Sequence, residues 1–239
     1  MLALLRQRVG QNVAQLGWWN AACYFGSLAL RRLGIRLYKY EFVAQPIAAA
    51  PLARGRGRAI DVRLVTDVAG VPTDYPRPAH VVADRFAQGA LTLQAWKGDD
   101  LAGFLWLLHQ GYREDEVRAD YRLASPDSVW DFDVYVAPEY RMGTTYLRLW
   151  DEANTLLRER DVRWTCSRIS SFNVASRNAH ARLGTVRMGG ALFLCAGRWQ
   201  LSCVTQAPFV HLSRHAAPRL TFDTAALATP RTKPQTMPR

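Results

Sequence analysis

The chain has 239 residues, 49% apolar and 21% charged, enough to bury a sizeable core in one globular domain with extensions. That composition excludes collagen-like, low-complexity and wholly disordered chains. The formal net charge of +11 is uneven, at +8 over residues 1–60, −1 over 61–204 and +4 over 205–239. Lysine occurs only at Lys39, Lys97 and Lys233, so the basic character is an arginine bias, and nucleic acid is not an expected partner. Cys23, Cys166, Cys195 and Cys203 form no C-x-x-C pair, which argues against a zinc ribbon, a redox motif or a disulfide scaffold and fits a reducing cytoplasm.

Leu2, Leu5, Val9, Leu16, Trp19, Cys23, Leu30 and Leu33 recur at helical spacing and predict one or two amphipathic helices. Residues 9–30 carry no charge, yet Gln11, Asn12, Gln15, Asn20 and three glycines make a membrane span a poor fit. No cleavage-site pattern marks a signal peptide. The helical stripe either packs on the domain or a second copy, or lies on a membrane surface. In the second case Trp18, Trp19, Tyr24 and Phe25 sit at the interface, with Arg6, Arg8, Arg31 and Arg32 near phosphates. Contact would then run through residues 1–36 at the inner face of the membrane. Gln45 to Arg58, rich in Ala, Pro, Gly and Arg, reads as a flexible basic linker.

The elements then alternate. Ile60–Thr66 is a strand, Arg77–Gln88 a helix, and Ala90–Trp96 and Leu101–His109 are strands joined by the turn Lys97-Gly98-Asp99-Asp100. Ser128–Val136 is a strand, Thr144–Arg160 a helix, Arg163–Ile169 a strand and Asn173–Leu183 a helix. Met188–Ala196 and Trp199–Thr205 close the series as strands. The order β-α-β-β-β-α-β-α-β-β describes an α/β (α+β) fold, a mixed and largely antiparallel sheet flanked by helices with one βαβ crossover; it excludes a TIM barrel. Three parts are expected: a helical extension with its linker over residues 1–58, the domain over 59–205, and an extension with a disordered tail over 206–239.

Val134-Tyr135-Val136-Ala137-Pro138-Glu139-Tyr140-Arg141-Met142-Gly143-Thr144-Thr145 runs strand, turn, helix. Such a turn presents free backbone N–H groups at a positive helix terminus, which suits a pyrophosphate, and Arg141 adds a charge-assisted contact. The plainer alternative is an ordinary junction capped by Thr144. Asp131 and Asp133 alternate with Trp130, Phe132 and Val134, so strand periodicity puts both carboxylates on one face with Tyr135. Either is then a candidate base, directly or through water; otherwise both pair with nearby arginines. His211 and His215 lack an acidic partner, and no metal is expected. Cys166 reads as core rather than nucleophile.

A second stretch, Asn173-Val-Ala-Ser176-Arg-Asn-Ala-His180-Ala-Arg-Leu-Gly184, changes the balance. Together the two resemble the GNAT acyltransferase superfamily over about residues 59–205. Val136, Pro138 and Arg141 match its V-x-P-x-x-R, and Asn173, Ser176 and Gly184 match N-x-x-A/S-x-x-x-Y-x-x-x-G. The loop departs from R-x-x-G-x-G/A at Arg141-Met142-Gly143-Thr144-Thr145-Tyr146, and His180 stands where tyrosine is common, keeping a proton donor of lower reference pKa.

The resemblance implies direct transfer from acetyl-CoA or another acyl-CoA to a small-molecule or peptide amine. Pantetheine would bond to the backbone at Val134 and Val136, between two splayed strands. An N-acyl amino acid or acyl-homoserine-lactone type synthase drawing on an acyl carrier protein is one alternative, which the basic arms would suit. A non-catalytic binding module is the other.

Overall fold

The computed structural model describes residues 10–11 and 13–227. The helical stripe before residue 10 and the expected tail over 229–239 lie outside the described residues. The chain runs α1 (Trp18–Arg31), β1 (Ile35–Pro46), β2 (Asp61–Val65), α2 (Ala79–Ala87), β3 (Leu91–Lys97), β4 (Asp100–His109), β5 (Gly111–Arg113), β6 (Asp120–Leu123) and β7 (Ser128–Val136). It continues through α3 (Thr145–Arg158), β8 (Trp164–Ser170), α4 (Val174–Arg182), β9 (Val186–Ala196), β10 (Trp199–Val204), β11 (Val210–Ser213) and β12 (Arg219–Phe222). Every element expected between Ile60 and Thr205 is present, with ends shifted by at most two residues.

Nine strands form one sheet in the order β11-β10-β9-β1-β8-β7-β4-β3-β2, and β12-β6-β5 form a second. In the large sheet only β7 and β8 are parallel, joined by the crossover helix α3. Side chains alternate between its faces. On one face Trp106, Trp130 and Phe42 pack under α2 and the small sheet, with Tyr121 and Phe222 of the latter 4.8 and 5.4 Å from the Trp130 ring. On the other, Leu105, Leu107 and Val129 meet Leu149, Trp150 and Leu157 of α3.

Two expectations about the ends give way. Residues 35–46 carry β1, which lies between β8 and β9, so the N-terminal part contributes a central strand and a boundary at residue 58 does not mark off the sheet. The reason is amphipathic alternation: Tyr38, Tyr40, Phe42 and Ala44 join the core, while Lys39, Glu41 and Gln45 point to the α3 face. At the other end β12 pairs in parallel with β6 and buries Leu220 and Phe222, so the C-terminal extension is part of the core up to that strand. The linker is not free either, because the Asp151 carboxylate of α3 accepts the N–H groups of Leu52 and Ala53 at 2.5 and 3.1 Å.

Helix α1 packs on the face that carries α3 and α4. Lys39 Nζ donates to Asn20 at 2.7 Å and lies over the Trp19 ring, and Tyr24 meets Phe172 edge-on at 5.6 Å. No helix among the described residues is long and apolar enough to cross a membrane.

Candidate active site

The sheet opens where its parallel pair ends. β7 and β8 are registered only over Ser128–Trp130 and Trp164–Cys166. Past them the two strands diverge, β7 continuing to Val136 and β8 to Ser170. Each arm of the fork is held by its outer neighbour, β7 by β4 and β8 by β1.

On the α3 face the fork leads into a cleft of about 680 Å³. Val134, Tyr135 and Val136 form one wall, Arg141, Gly143 and Tyr146 the loop side, and Asn173, Ser176 and His180 of α4 the opposite side. Of the sequence-predicted residues Val134, Tyr135, Val136, Arg141, Gly143, Asn173, Ser176 and His180 line this cleft, whereas Asp131, Asp133, Met142, Thr144 and Thr145 do not. Met142 is almost wholly exposed and does not line the cleft. Thr144 occupies the N-cap of α3 but its side chain caps nothing, while Thr145 is buried under Gly103. Arg141 lines the cleft and folds back so that its Nε donates to Val136 O at 3.1 Å. Asn173 Oδ1 accepts the Ser176 N–H at 3.0 Å and caps α4, and Gly184, at φ +80°, stops that helix.

The expectation that Asp131 and Asp133 share a face is corrected. A bulge against β4 sets Phe104 opposite Tyr135 and Trp106 opposite Phe132, and Asp133 takes φ +48°. The extra residue reverses the alternation. Asp131 keeps the α3 face, and Asp133 turns to the other face with Tyr135. There Arg77 Nε donates to Asp133 at 2.7 Å and Arg85 Nη1 at 2.6 Å, so its lone pairs are taken by two guanidinium groups. These stack on Phe104, Tyr135, Trp106 and Phe132 at 5.2–5.4 Å. Asp133 is thus the ion-pairing residue of the two and not a free base.

Asp131 is the first β7 residue past the last paired one, at the apex of the fork, and is 1% exposed. Burial pushes its carboxyl up to about 7, with the Thr165 and Ser167 hydroxyls beside it pulling the other way. Its Oδ1, both of those hydroxyls and the Tyr146 hydroxyl have no hydrogen-bond partner among the described residues. Each buried orphan of this kind costs about 1–3 kcal/mol unless water or a ligand reaches it. Tyr146, which sequence reasoning missed, lines the cleft, and burial pushes its phenol up, with the Asp131 charge adding to the effect. Its place in the first turn of the helix that opens at the phosphate-type loop is the signal that could have found it.

His180 is buried, 6.2 Å from the Trp150 ring, with Nδ1 3.2 Å from Gln45 Oε1. Burial alone drives its pKa down to about 4, so at neutral pH the ring is uncharged and the expected acid role loses its basis. His180→Gln is expected to slow acyl transfer less than about tenfold; a loss of about 10²-fold or more in single-turnover rate would restore the proton-donor role. Cys166 is fully buried and burial pushes its thiol up, as for a core residue.

Behind the fork, on the Asp133 face, lies a second cleft of about 510 Å³ lined by Arg77, Arg85, Tyr112, Asp115, Glu116 and Arg168. Arg168 bonds Glu114 through Nε and Nη2 at 2.5 and 2.8 Å and Glu116 at 2.7 Å, and lies 4.4 Å from the Tyr40 ring. The two clefts stand on opposite faces of the same opening.

The forked parallel pair, the strand-turn-helix loop and the element order from β2 to β10 make this a GNAT-like fold, a mixed α/β sheet flanked by helices. No protein-family profile and no characterised protein sequence matches the chain. Among solved structures it is similar to a conserved protein of unknown function from Staphylococcus epidermidis, at 13% identity and TM-score 0.46, covering 70% of this chain and 64% of that one. A GCN5-related N-acetyltransferase from Sphaerobacter thermophilus gives 17% identity and TM-score 0.44 over 70% and 54%. A tandem GNAT protein from the clavulanic acid biosynthesis pathway gives 16% and 0.43 over 69% and 56%. The chain thus spans between about half and two thirds of their lengths. None of these similarities carries an activity to this chain.

Proposed function

We propose that the protein is an N-acyltransferase that moves an acetyl or longer acyl group from acyl-CoA directly to an amine. The observation that carries this reading is the fork itself, open on both faces, with a phosphate-type loop on one side and a polar cleft on the other. The loop backbone and Arg141 would take the pyrophosphate, and the backbone of Val134 and Val136, at the cleft wall, the pantetheine amides. The thioester would then reach the apex and the amine would enter from the Asp133 face.

An amine with reference pKa near 10 must lose a proton as it attacks. As the nitrogen–carbon bond forms and the carbon–sulfur bond breaks, one proton passes from nitrogen to the departing coenzyme A thiolate, and the other proton of the ammonium form goes to a base. Asp131, free of any guanidinium and raised toward neutrality, is the group suited to take that proton through water in the fork. Asp133, Arg77 and Arg85 then serve as a rigid wall on the acceptor side. The basic arms also suit an acidic acyl carrier protein as donor.

The test is acyl transfer from radiolabelled acetyl-CoA and octanoyl-CoA to a panel of amines, with and without Arg141→Ala. That variant is expected to weaken donor binding by about 1.5–3 kcal/mol with less effect on saturated turnover. Unchanged donor affinity would remove the loop from the donor site.

A further inference from the structure

The segment read from sequence as a loose basic linker is fixed against the start of α3. Asp151 holds Leu52 and Ala53 by their N–H groups. Gly57 follows at φ +74°, and a Cβ there would stand 2.2 Å from Thr144 Oγ1 and 3.0 Å from Arg148 Cγ, so only glycine lets the backbone pass this close. The segment thereby lies against Thr144, the residue before α3, and Arg54, Arg56 and Arg58 on it are all exposed.

None of the three forms an ion pair among the described residues, although three guanidinium groups within five residues repel one another. Carboxylates nearby are committed elsewhere: both Asp151 oxygens accept backbone N–H groups, and Glu152 pairs with Arg148 at 2.9 Å. Arg56 Nε donates to Ala53 O at 3.3 Å, but no carboxylate balances the three charges, and guanidinium groups on a backbone fixed beside a helix start that has no side-chain cap suit an anion.

We infer that Arg54, Arg56 and Arg58 bind the phosphate groups of the donor's nucleotide, adding charge from the N-terminal segment to a loop that departs from the R-x-x-G-x-G/A pattern. This rests on the acyl-CoA reading above. It also explains why the segment is anchored at both Asp151 and Gly57, since a guanidinium binds phosphate with less entropy loss when its backbone is already fixed.

The experiment is calorimetric titration of the full chain and of its Arg54→Gln/Arg56→Gln/Arg58→Gln variant with coenzyme A, dephospho-coenzyme A and pantetheine. The variant's fold is checked by circular dichroism. The unaltered chain is expected to bind coenzyme A, and the triple variant at least tenfold more weakly and with a shallower salt dependence, with pantetheine affinity unchanged. A deficit that disappears with dephospho-coenzyme A assigns the arginines to the 3′-phosphate, and one that persists assigns them to the pyrophosphate. Affinity for coenzyme A within twofold in the folded variant overturns the inference while leaving the donor site standing. Absence of coenzyme A binding by the unaltered chain overturns the donor reading and this inference with it.

Independently of that cleft, Trp18, Ala22 and Ala29 of α1 are exposed and Phe25 between them is half-buried, at i, i+4, i+11 and i+7, and Leu33 of the turn that follows is exposed as well, with Trp18 73% and Leu33 75% exposed. No acidic residue precedes Glu41, whereas Arg31, Arg32 and Arg36 stand at the end of the stripe. Two copies would bring like charge together; we propose instead that this face lies on an anionic lipid surface. Co-sedimentation of the full chain with phosphatidylcholine vesicles containing phosphatidylglycerol is expected to show binding. That binding should fall at least tenfold in neutral vesicles, in high salt, and in folded Trp18→Ser/Phe25→Ser/Leu33→Ser. No binding, binding unchanged in the variant, or a dimer that the variant dissolves overturns it.

Discussion

Asp131→Asn is expected to stabilise the protein above neutral pH while slowing acyl transfer by about 10²–10⁴. Burial raises the folded-state pKa of Asp131 to about 7, above its unfolded value, so the native state holds that proton more tightly. The native state therefore carries no penalty from this group below about pH 4, a growing one as pH rises toward 7, and a constant one beyond, at most about 4 kcal/mol. Asparagine removes the penalty. Thermal melts of the two proteins should coincide at pH 4 and separate by pH 8, with the variant the more stable. In the unaltered protein the proposed transfer should speed up with pH through about 7 as the carboxyl ionises. Equal melting at pH 8, or full activity in the variant, would place the proton acceptor elsewhere.

Glu114→Ala is expected to destabilise the fold by about 3–5 kcal/mol. The Glu114 side chain is wholly buried and Arg168 bonds it bidentately; burial raises the Glu114 pKa while Arg168 opposes that rise. Removing the carboxylate leaves the Arg168 guanidinium, 19% exposed, with only the half-exposed Glu116. Chemical denaturation should show a lower midpoint with an unchanged slope. Loss of less than 1 kcal/mol would mean that this charge cluster relaxes into solvent. Because Arg168 and Glu116 line the cleft behind the fork, the same variant should also weaken acceptor use in whatever fraction remains folded.

The sheet from β2 to β10 was legible because each strand and helix there carries its own period. Ser128–Val136 alternates as a strand, and the turn after it ends in a helix-opening threonine. β1 was legible in principle, since Tyr38, Tyr40 and Phe42 alternate with Lys39 and Glu41, but its neighbours β8 and β9 come more than 100 residues later in the chain. β6 and β12 are four residues each, too short for a period to stand out, and their pairing spans a similar distance. At the site, the motif residues on loop and helix were readable by spacing. The bulge at Asp133 was not, because it depends on how β7 registers with Phe104 and Trp106 of β4. Nor was the neutral state of His180, which follows from burial against Gln45 and Trp150, or the anchoring of Leu52 and Ala53 by Asp151.

Calorimetric titration of the unaltered chain with coenzyme A is the most direct test that the fork on the α3 face is a donor site. The account predicts saturable one-to-one binding in the micromolar range, weakened by Arg141→Ala and by raised salt. No heat of binding at millimolar coenzyme A, in a protein whose circular dichroism shows it folded, would contradict it.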